Sequence, residues 1–247
     1  MNAEIVSVRN LSFSYPDGGK GLENISFSVR RGENLGIIGP NGAGKSTLLF
    51  HLNGLYKGSG RIEVAGKRVA KPHLREIRAK VGLVFQDPQD QLFMPTVRDD
   101  IAFGLLNLDI PREDVEKRIE KVAKALNLEG YENLSSFRLS LGEKKRVALA
   151  TVLVLEPEIL ILDEPTAGLD AGQRRALLAF LRGLETTLIV ATHDLDLVLE
   201  LCHRALLIRE GKIRAEGVCR ELLSDRALLE ESNLQMPARL AARVSSN

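Results

Sequence analysis

The run Gly39-Pro40-Asn41-Gly42-Ala43-Gly44-Lys45-Ser46-Thr47 constrains this chain more than any other feature. It fits G-x-x-x-x-G-K-[ST], and it stands between a short apolar run, Asn34 to Ile38, and a segment of helical periodicity, Lys45 to Asn53. Strand, glycine-rich loop and helix in that order turn successive backbone N–H groups toward one point at a helix N-terminus, where phosphate binds. Lys45 then neutralises the outer phosphates, the Ser46 hydroxyl suits a magnesium ion, and Thr47 suits an inner phosphate. A loop that only turned the chain would have no need of a lysine and a hydroxyl behind its glycines.

Such a loop calls for an α/β fold with a mainly parallel core sheet. Val81 to Phe85, Ile159 to Leu162 and Leu188 to Ala191 are continuous apolar runs, which suit strands covered on both faces. Glu4 to Arg9 and Ile25 to Val29 alternate around Pro16-Asp17-Gly18-Gly19 and predict an N-terminal antiparallel β layer. Asp87 to Val154 reads as mainly helical. Pro111 suits a first turn there, and Val115, Ile119, Val122 and Leu126 follow at helical spacing. Ala205 to Arg209 and Lys212 to Glu216 flank Glu210-Gly211 as a closing hairpin, on a weaker turn signal than Asn-Gly. One folded unit is expected: residues 1–86 and 155–223 as β layer and core, 87–154 as an inserted helical subdomain, and 224–247 as a short helix and tail.

Composition narrows the partners. Lys and Arg number 34 against 33 Asp and Glu, a net charge of +1, so no global basic excess argues for nucleic acid, and none is expected as a partner. The apolar stretch Val147 to Leu155 is nine residues, half of a bilayer span, and the N-terminus carries no basic segment followed by an apolar core. The expectation is a cytoplasmic chain that does not cross a membrane by itself. Cys202 and Cys219 form no CxxC pair and read as packed thiols, and with four scattered histidines they offer no transition-metal cluster.

The run Ile159 to Leu162 ends in Asp163-Glu164, two carboxylates where a parallel strand emerges near the phosphate loop. Asp163 would hold magnesium, and Glu164 would polarise the attacking water as general base. Gln86 and His193 stand at the ends of two further strands. Gln86 could report nucleotide state to the helical lobe and His193 could reach the γ-phosphate, although either residue type at a loop start is commonly just solvated. Ser140 with Glu143 fits a capping box, and the helix end that it caps could also grip phosphate. Lys144, Lys145 and Arg146 read as a solvated helix face, and Asp194 and Asp196 as the start of a solvated helix.

In order and spacing, GPNGAGKST, Gln86, LSLGE, ILILDE, AGLD and His193 resemble the ATP-binding subunits of ABC transporters, over essentially the whole chain. The resemblance implies a P-loop NTPase of the ABC ATPase type, with ATP and magnesium as its ligands and Gln86 among the magnesium ligands. It implies a head-to-tail dimer that sandwiches two ATP molecules, each held by one protomer's phosphate loop and by Ser140 to Gly142 of the other. Gly168-Leu169-Asp170 corresponds to a loop that crosses the dimer seam, and Tyr15 to an aromatic ring stacked on adenine. The signature departs from the family's LSGGQ at Leu141 and at Glu143, where glycine and glutamine are usual.

A narrower likeness lies in Phe85-Gln86-Asp87-Pro88-Gln89-Asp90-Gln91-Leu92-Phe93, which looks like the corresponding loop of energy-coupling-factor transporters for transition metals and vitamins. The segment onward through Gly104 would then receive helices of an integral membrane subunit. The sequence around GEKKRVALA looks most like the cobalt or nickel members, which implies a homodimer at the cytoplasmic face of the membrane. The vitamin type, which often pairs two different ATPases as a heterodimer, is the alternative. A soluble mechanoenzyme acting on nucleic acid or ribosomes would share the ATP residues, but it usually carries a second ATPase unit or a long insertion, and neither is seen here.

Overall fold

The computed structural model describes residues 3–244. Its first half runs β1 (Glu4–Ser14), β2 (Lys20–Arg30), β3 (Leu35–Ile38), α1 (Lys45–Leu52), β4 (Ser59–Val64), β5 (Lys67–Arg68), α2 (Leu74–Lys80), β6 (Val81–Val84), α3 (Val97–Asn107) and α4 (Arg112–Ala125). There follow α5 (Leu141–Leu153), β7 (Ile159–Asp163), α6 (Ala171–Arg182), β8 (Thr187–Thr192), α7 (Leu195–Leu201), β9 (Arg204–Arg209), β10 (Lys212–Val218), α8 (Cys219–Leu222), α9 (Arg226–Glu231) and α10 (Ala238–Val244).

The apolar runs become the centre of a six-stranded sheet of order β10-β9-β3-β8-β7-β6, parallel except for β10. Every residue of β3, β6, β7 and β8 is buried. Alternate side chains explain why these strands are apolar throughout. Ile37, Ile161 and Ile189 face one core with the β layer and α1, whereas Ile38, Leu160, Leu162 and Val190 face another with the helical lobe. The β layer is a four-stranded antiparallel sheet of order β2-β1-β4-β5. Its strands β4 and β5 were not foreseen, because glycines at 60 and 66 interrupt the alternation.

In the helical lobe α3, α4 and α5 pack together through Ile101, Leu105, Val115, Ile119, Val122, Val147 and Leu149. The closing hairpin is present. Glu210 (φ 52°) and Gly211 (φ 72°) both take the positive φ that a type I′ turn demands, so tertiary pairing of β9 with β10 overrides the weak local signal. The C-terminal region departs from the expected single helix and tail. Two short helices, α9 and α10, lie within residues 224–244; this stretch buries Leu229, Leu234 and Leu240 against the lobe-side core, and the last three residues of the expected tail lie outside the described residues. Cys202 and Cys219 are free, buried thiols, and burial pushes the Cys219 thiol up to about 12. Among the described residues no helix is long and apolar enough to cross a membrane.

Candidate active site

The phosphate loop joins β3 to α1 and packs so closely that a Cβ at Gly39 would stand 2.1 Å from the Ile208 carbonyl oxygen. Gly44 takes φ 104° as the N-cap of α1, and no side chain caps this helix, so its first amides stay open to an incoming anion. Lys45 is buried. Its ammonium donates to the carbonyls of Gly39 (2.9 Å) and Pro40 (3.3 Å) and lies 3.5 Å from Glu164 Oε1. The Tyr15 and Thr47 hydroxyls are 2.5 Å apart, which places the Tyr15 ring beside the loop.

Asp163 closes β7 and is buried; its Oδ1 has no hydrogen-bond partner, and the Ser46 hydroxyl lies close enough to act on the carboxyl. Burial raises its pKa, and the adjacent Glu164 adds to that, against the pull of Ser46, Lys45 and Lys145. Glu164 leaves the strand direction. Its φ of 44° is in the left-handed region, which a non-glycine residue enters at a cost of about 1–3 kcal/mol. Its N–H crosses to the Ala191 carbonyl of β8 (2.8 Å), so the turn carries the side chain to the end of that strand. There Oε2 accepts from the Thr192 hydroxyl (2.8 Å), and Oε1 accepts from the His193 N–H (3.1 Å) and meets His193 Nδ1 at 3.0 Å. The glutamate side chain is 6% exposed and that of His193 58%, so one group is fixed and the other opens to solvent.

The structure thus brings Tyr15, Lys45, Ser46, Thr47, Asp163, Glu164 and His193 to one end of the parallel sheet, with Gln86 exposed just beyond β6. Ser140, Gly142 and Asp170 gather elsewhere. Ser140 N-caps α5 in a full capping box: its N–H (2.8 Å) and hydroxyl (2.7 Å) both reach Glu143 Oε2, and Tyr131 donates to Oε1 (2.8 Å). These bonds, the Ser140 hydroxyl first, hold the Glu143 carboxyl below its usual range. Asp170 caps α6 in a second capping box with Gln173, whose side chain covers Gly142. Leu141 rests on Gly168, where a Cβ would meet its methyl at 2.6 Å.

Two expectations are corrected. Lys145 is buried rather than part of a solvated face. Its ammonium donates to the carbonyls of Gln86 (3.2 Å) and Glu164 (3.1 Å), and Arg146 beside it donates to those of Leu126 (3.1 Å) and Asn127 (2.7 Å). The missed signal is spacing, since Lys145 falls on the same helical stripe as the buried Ala148, Leu149 and Val152. Asp194 does start α7, but it is half-buried and holds Arg174 of α6 through two bonds (3.0 and 3.2 Å). Sequence reading also passed over Gln91, which accepts from the Phe85 N–H (3.2 Å) and donates to the Ala148 carbonyl and the Thr151 hydroxyl (both 2.7 Å).

The profile of the ABC transporter family matches residues 22–167. The energy-coupling factor transporter ATP-binding protein EcfA of Methanocaldococcus jannaschii is 46% identical over 94% of this chain and 86% of its own. Among solved structures, cbiO1 from Clostridium perfringens, part of the ABC transporter complex cbiONQ, superposes with a TM-score of 0.81 at 36% identity, covering 99% of this chain and 100% of that one. The ATP-binding cassette MJ0796, a dimer in a post-hydrolysis state bound to ADP and Pi, gives 0.79 at 27% identity over 87% and 99%. The chain belongs to the ABC transporter family, as an ATP-hydrolysing, ATP-binding subunit of the energy-coupling-factor type.

Proposed function

We propose that this ATPase works as a homodimer on the cytoplasmic face of the membrane, where integral membrane subunits hold it, and that it powers uptake of cobalt or nickel. The observation that carries the catalytic part is the placement of Glu164. Three donors on β8 and its exit fix this carboxylate, and it faces Lys45 at 3.5 Å, so it is aimed where a phosphate on the loop would react. Glu164 acts as general base, and His193 orients it while reaching with its exposed edge toward the outer phosphate. Lys45 leaves the Gly39 and Pro40 carbonyls for that phosphate, and Tyr15 turns from Thr47 to stack on the base. Ser140 and Gly142 serve the nucleotide of the partner protomer, with Asp170 at the seam.

Magnesium fits the residues present: a buried carboxylate oxygen without a partner stands beside a hydroxyl, and both are hard ligands. Asp163, Ser46 and Gln86 would hold the ion, which would supply charge neutralisation at the terminal phosphates. Membrane docking is supported by exposed Phe103 and Leu106, which line a cleft of about 330 Å³ between α3 and α4, and by exposed Phe93, whose ring packs edge-on against Phe103 just after the Gln86 loop. The preference for cobalt or nickel rests on the likeness around GEKKRVALA.

The test is purification of the tagged chain from membranes, followed by reconstitution of the recovered assembly in liposomes. ATP-driven uptake of labelled cobalt or nickel is expected; uptake of a vitamin instead would overturn the metal reading, and recovery without any integral membrane protein would overturn the transport reading. In the same assembly Glu164→Gln should cut phosphate release by about 10²- to 10⁴-fold while ATP-dependent dimerisation persists.

A further inference from the structure

A lysine is seldom buried without a carboxylate in contact, because removing its charge from water costs several kcal/mol. Lys145 is 9% exposed, and among the described residues no carboxylate oxygen stands in ion-pair contact with its ammonium. It spends its donors on two main-chain oxygens, those of Gln86 and Glu164. Burial depresses its pKa, while the fields of Glu164, Asp87 and Asp163 act the other way and favour the cation.

The two carbonyls are not equivalent. Glu164 sits at φ 44°, and a conformation of that cost persists only where neighbours fix both flanking peptides. The peptide before it is fixed by the bond from its N–H to Ala191. The carbonyl after it accepts from the Ala167 N–H (3.2 Å) within its own turn and from Lys145 (3.1 Å), among the described residues the one donor that reaches it from another element. The Gln86 carbonyl lies at the exit of β6, where the chain departs toward the exposed Phe93 and Phe103. Gln91 binds the same loop to α5 one and two turns further along, at Ala148 and Thr151. One face of α5 therefore holds the loop at both ends and the peptide of Glu164 at once.

We propose that Lys145 is a positioning residue, which holds the main chain of Glu164 so that its carboxylate faces the phosphate loop and which ties that placement to the Gln86 loop. The inference rests on the reading of Glu164 as general base. A shift of the loop moves one oxygen of a shared donor and is felt at the other, which gives a docked subunit a short route to the reacting end.

The experiment compares Lys145→Met and Lys145→Arg with the unaltered chain in ATP turnover, KM for ATP and thermal unfolding. Methionine keeps the length and removes both donors; relief of the cation's desolvation offsets part of the two lost bonds, and the Glu164 carbonyl keeps the Ala167 N–H, so Tm should fall by no more than a few degrees. The expected result is a fall in kcat of roughly 10- to 100-fold with KM for ATP within about twofold, because a base misplaced by a fraction of an ångström loses rate without losing binding. Lys145→Arg, which keeps donors at that reach, should hold kcat within about threefold on the same reasoning. Wild-type kcat in Lys145→Met, a rise in KM in place of the fall in kcat, or equal loss in both variants overturns the proposal. Should Lys145→Met show no cooperative unfolding, Lys145→Gln is judged by the same three criteria. Glu164→Gln is measured alongside: wild-type turnover there defeats the base reading itself, whereas an inactive Glu164→Gln with a fully active Lys145→Met defeats only this inference.

Discussion

Two helices of this molecule begin in opposite ways. At α1 the N-cap is a left-handed glycine, no side chain caps the helix end, and a buried carboxylate oxygen of Asp163 nearby lacks a partner. At α5 the N-cap is Ser140 in a closed capping box, with Tyr131 on the outer oxygen of Glu143. The first end leaves donors and acceptors unmet that a charged ligand would satisfy, while the second satisfies its own. A nucleotide therefore gains at α1 whatever the chain left open, whereas at α5 it must displace bonds already made. In the proposed dimer this asymmetry would make the phosphate loop the tight, early contact and the Ser140 end the late, conditional one.

The comparison can be broken at α1 with the largest effect. Lys45→Met should weaken ATP binding by roughly a hundredfold, equivalent to about 2.7 kcal/mol of charge-assisted hydrogen bonding; titration with a fluorescent ATP analogue reads it directly. At α5, Ser140→Ala removes the cap and should cost about 1 kcal/mol, a drop in Tm of about 2–4 °C. ATP-dependent dimerisation of that variant, followed by light scattering, should fall while monomer affinity for ATP holds.

The unmet carboxylate sharpens the contrast through pH. Burial raises the pKa of Asp163, so the folded chain binds that proton more tightly than the unfolded chain does. The stability linked to this group is therefore fully present at acid pH, below the unfolded value, and is lost as pH rises through the raised folded value. Asp163→Asn should accordingly raise the Tm of the nucleotide-free chain by about 2–4 °C at neutral pH and by little at pH 4, with turnover abolished; calorimetry at the two pH values distinguishes the arms. The smallest effect is expected of Glu143→Gln, which preserves the capping box but removes a charge that an arriving phosphate must face. Turnover at limiting ATP should rise about twofold to threefold, and an unchanged or lower rate would show that the acid does not guard this end.

Local chemistry made much of this legible from residues alone. The phosphate loop, Asp163 and Glu164 announce themselves because glycine, lysine, hydroxyl and carboxylate at strand ends have few structural uses, and the inner strands do so because two covered faces demand unbroken apolar runs. What stayed hidden depends on partners distant in sequence. Lys145 looks solvated beside Lys144 until the carbonyls of Gln86 and Glu164, 59 and 19 residues away, are brought to it. The role of Asp194 needs Arg174 from another helix, and β4 finds its place by pairing with β1, about 50 residues earlier, across a long closed loop. The left-handed turn at Glu164 has no sequence signature, because it is imposed by the neighbouring strand.

The contact of Leu141 with Gly168 links the start of α5 to the loop before α6, 27 positions further along the chain. The glycine has φ 74°, and the leucine methyl already occupies the place that a side chain there would need. An unusual residue at the helix start is thus matched by the smallest one in the loop. In descent the pair should be asymmetric: position 141 is free to shrink while glycine stays at 168, whereas a side chain at 168 needs both a smaller residue at 141 and a neighbourhood that meets the cost of its left-handed backbone.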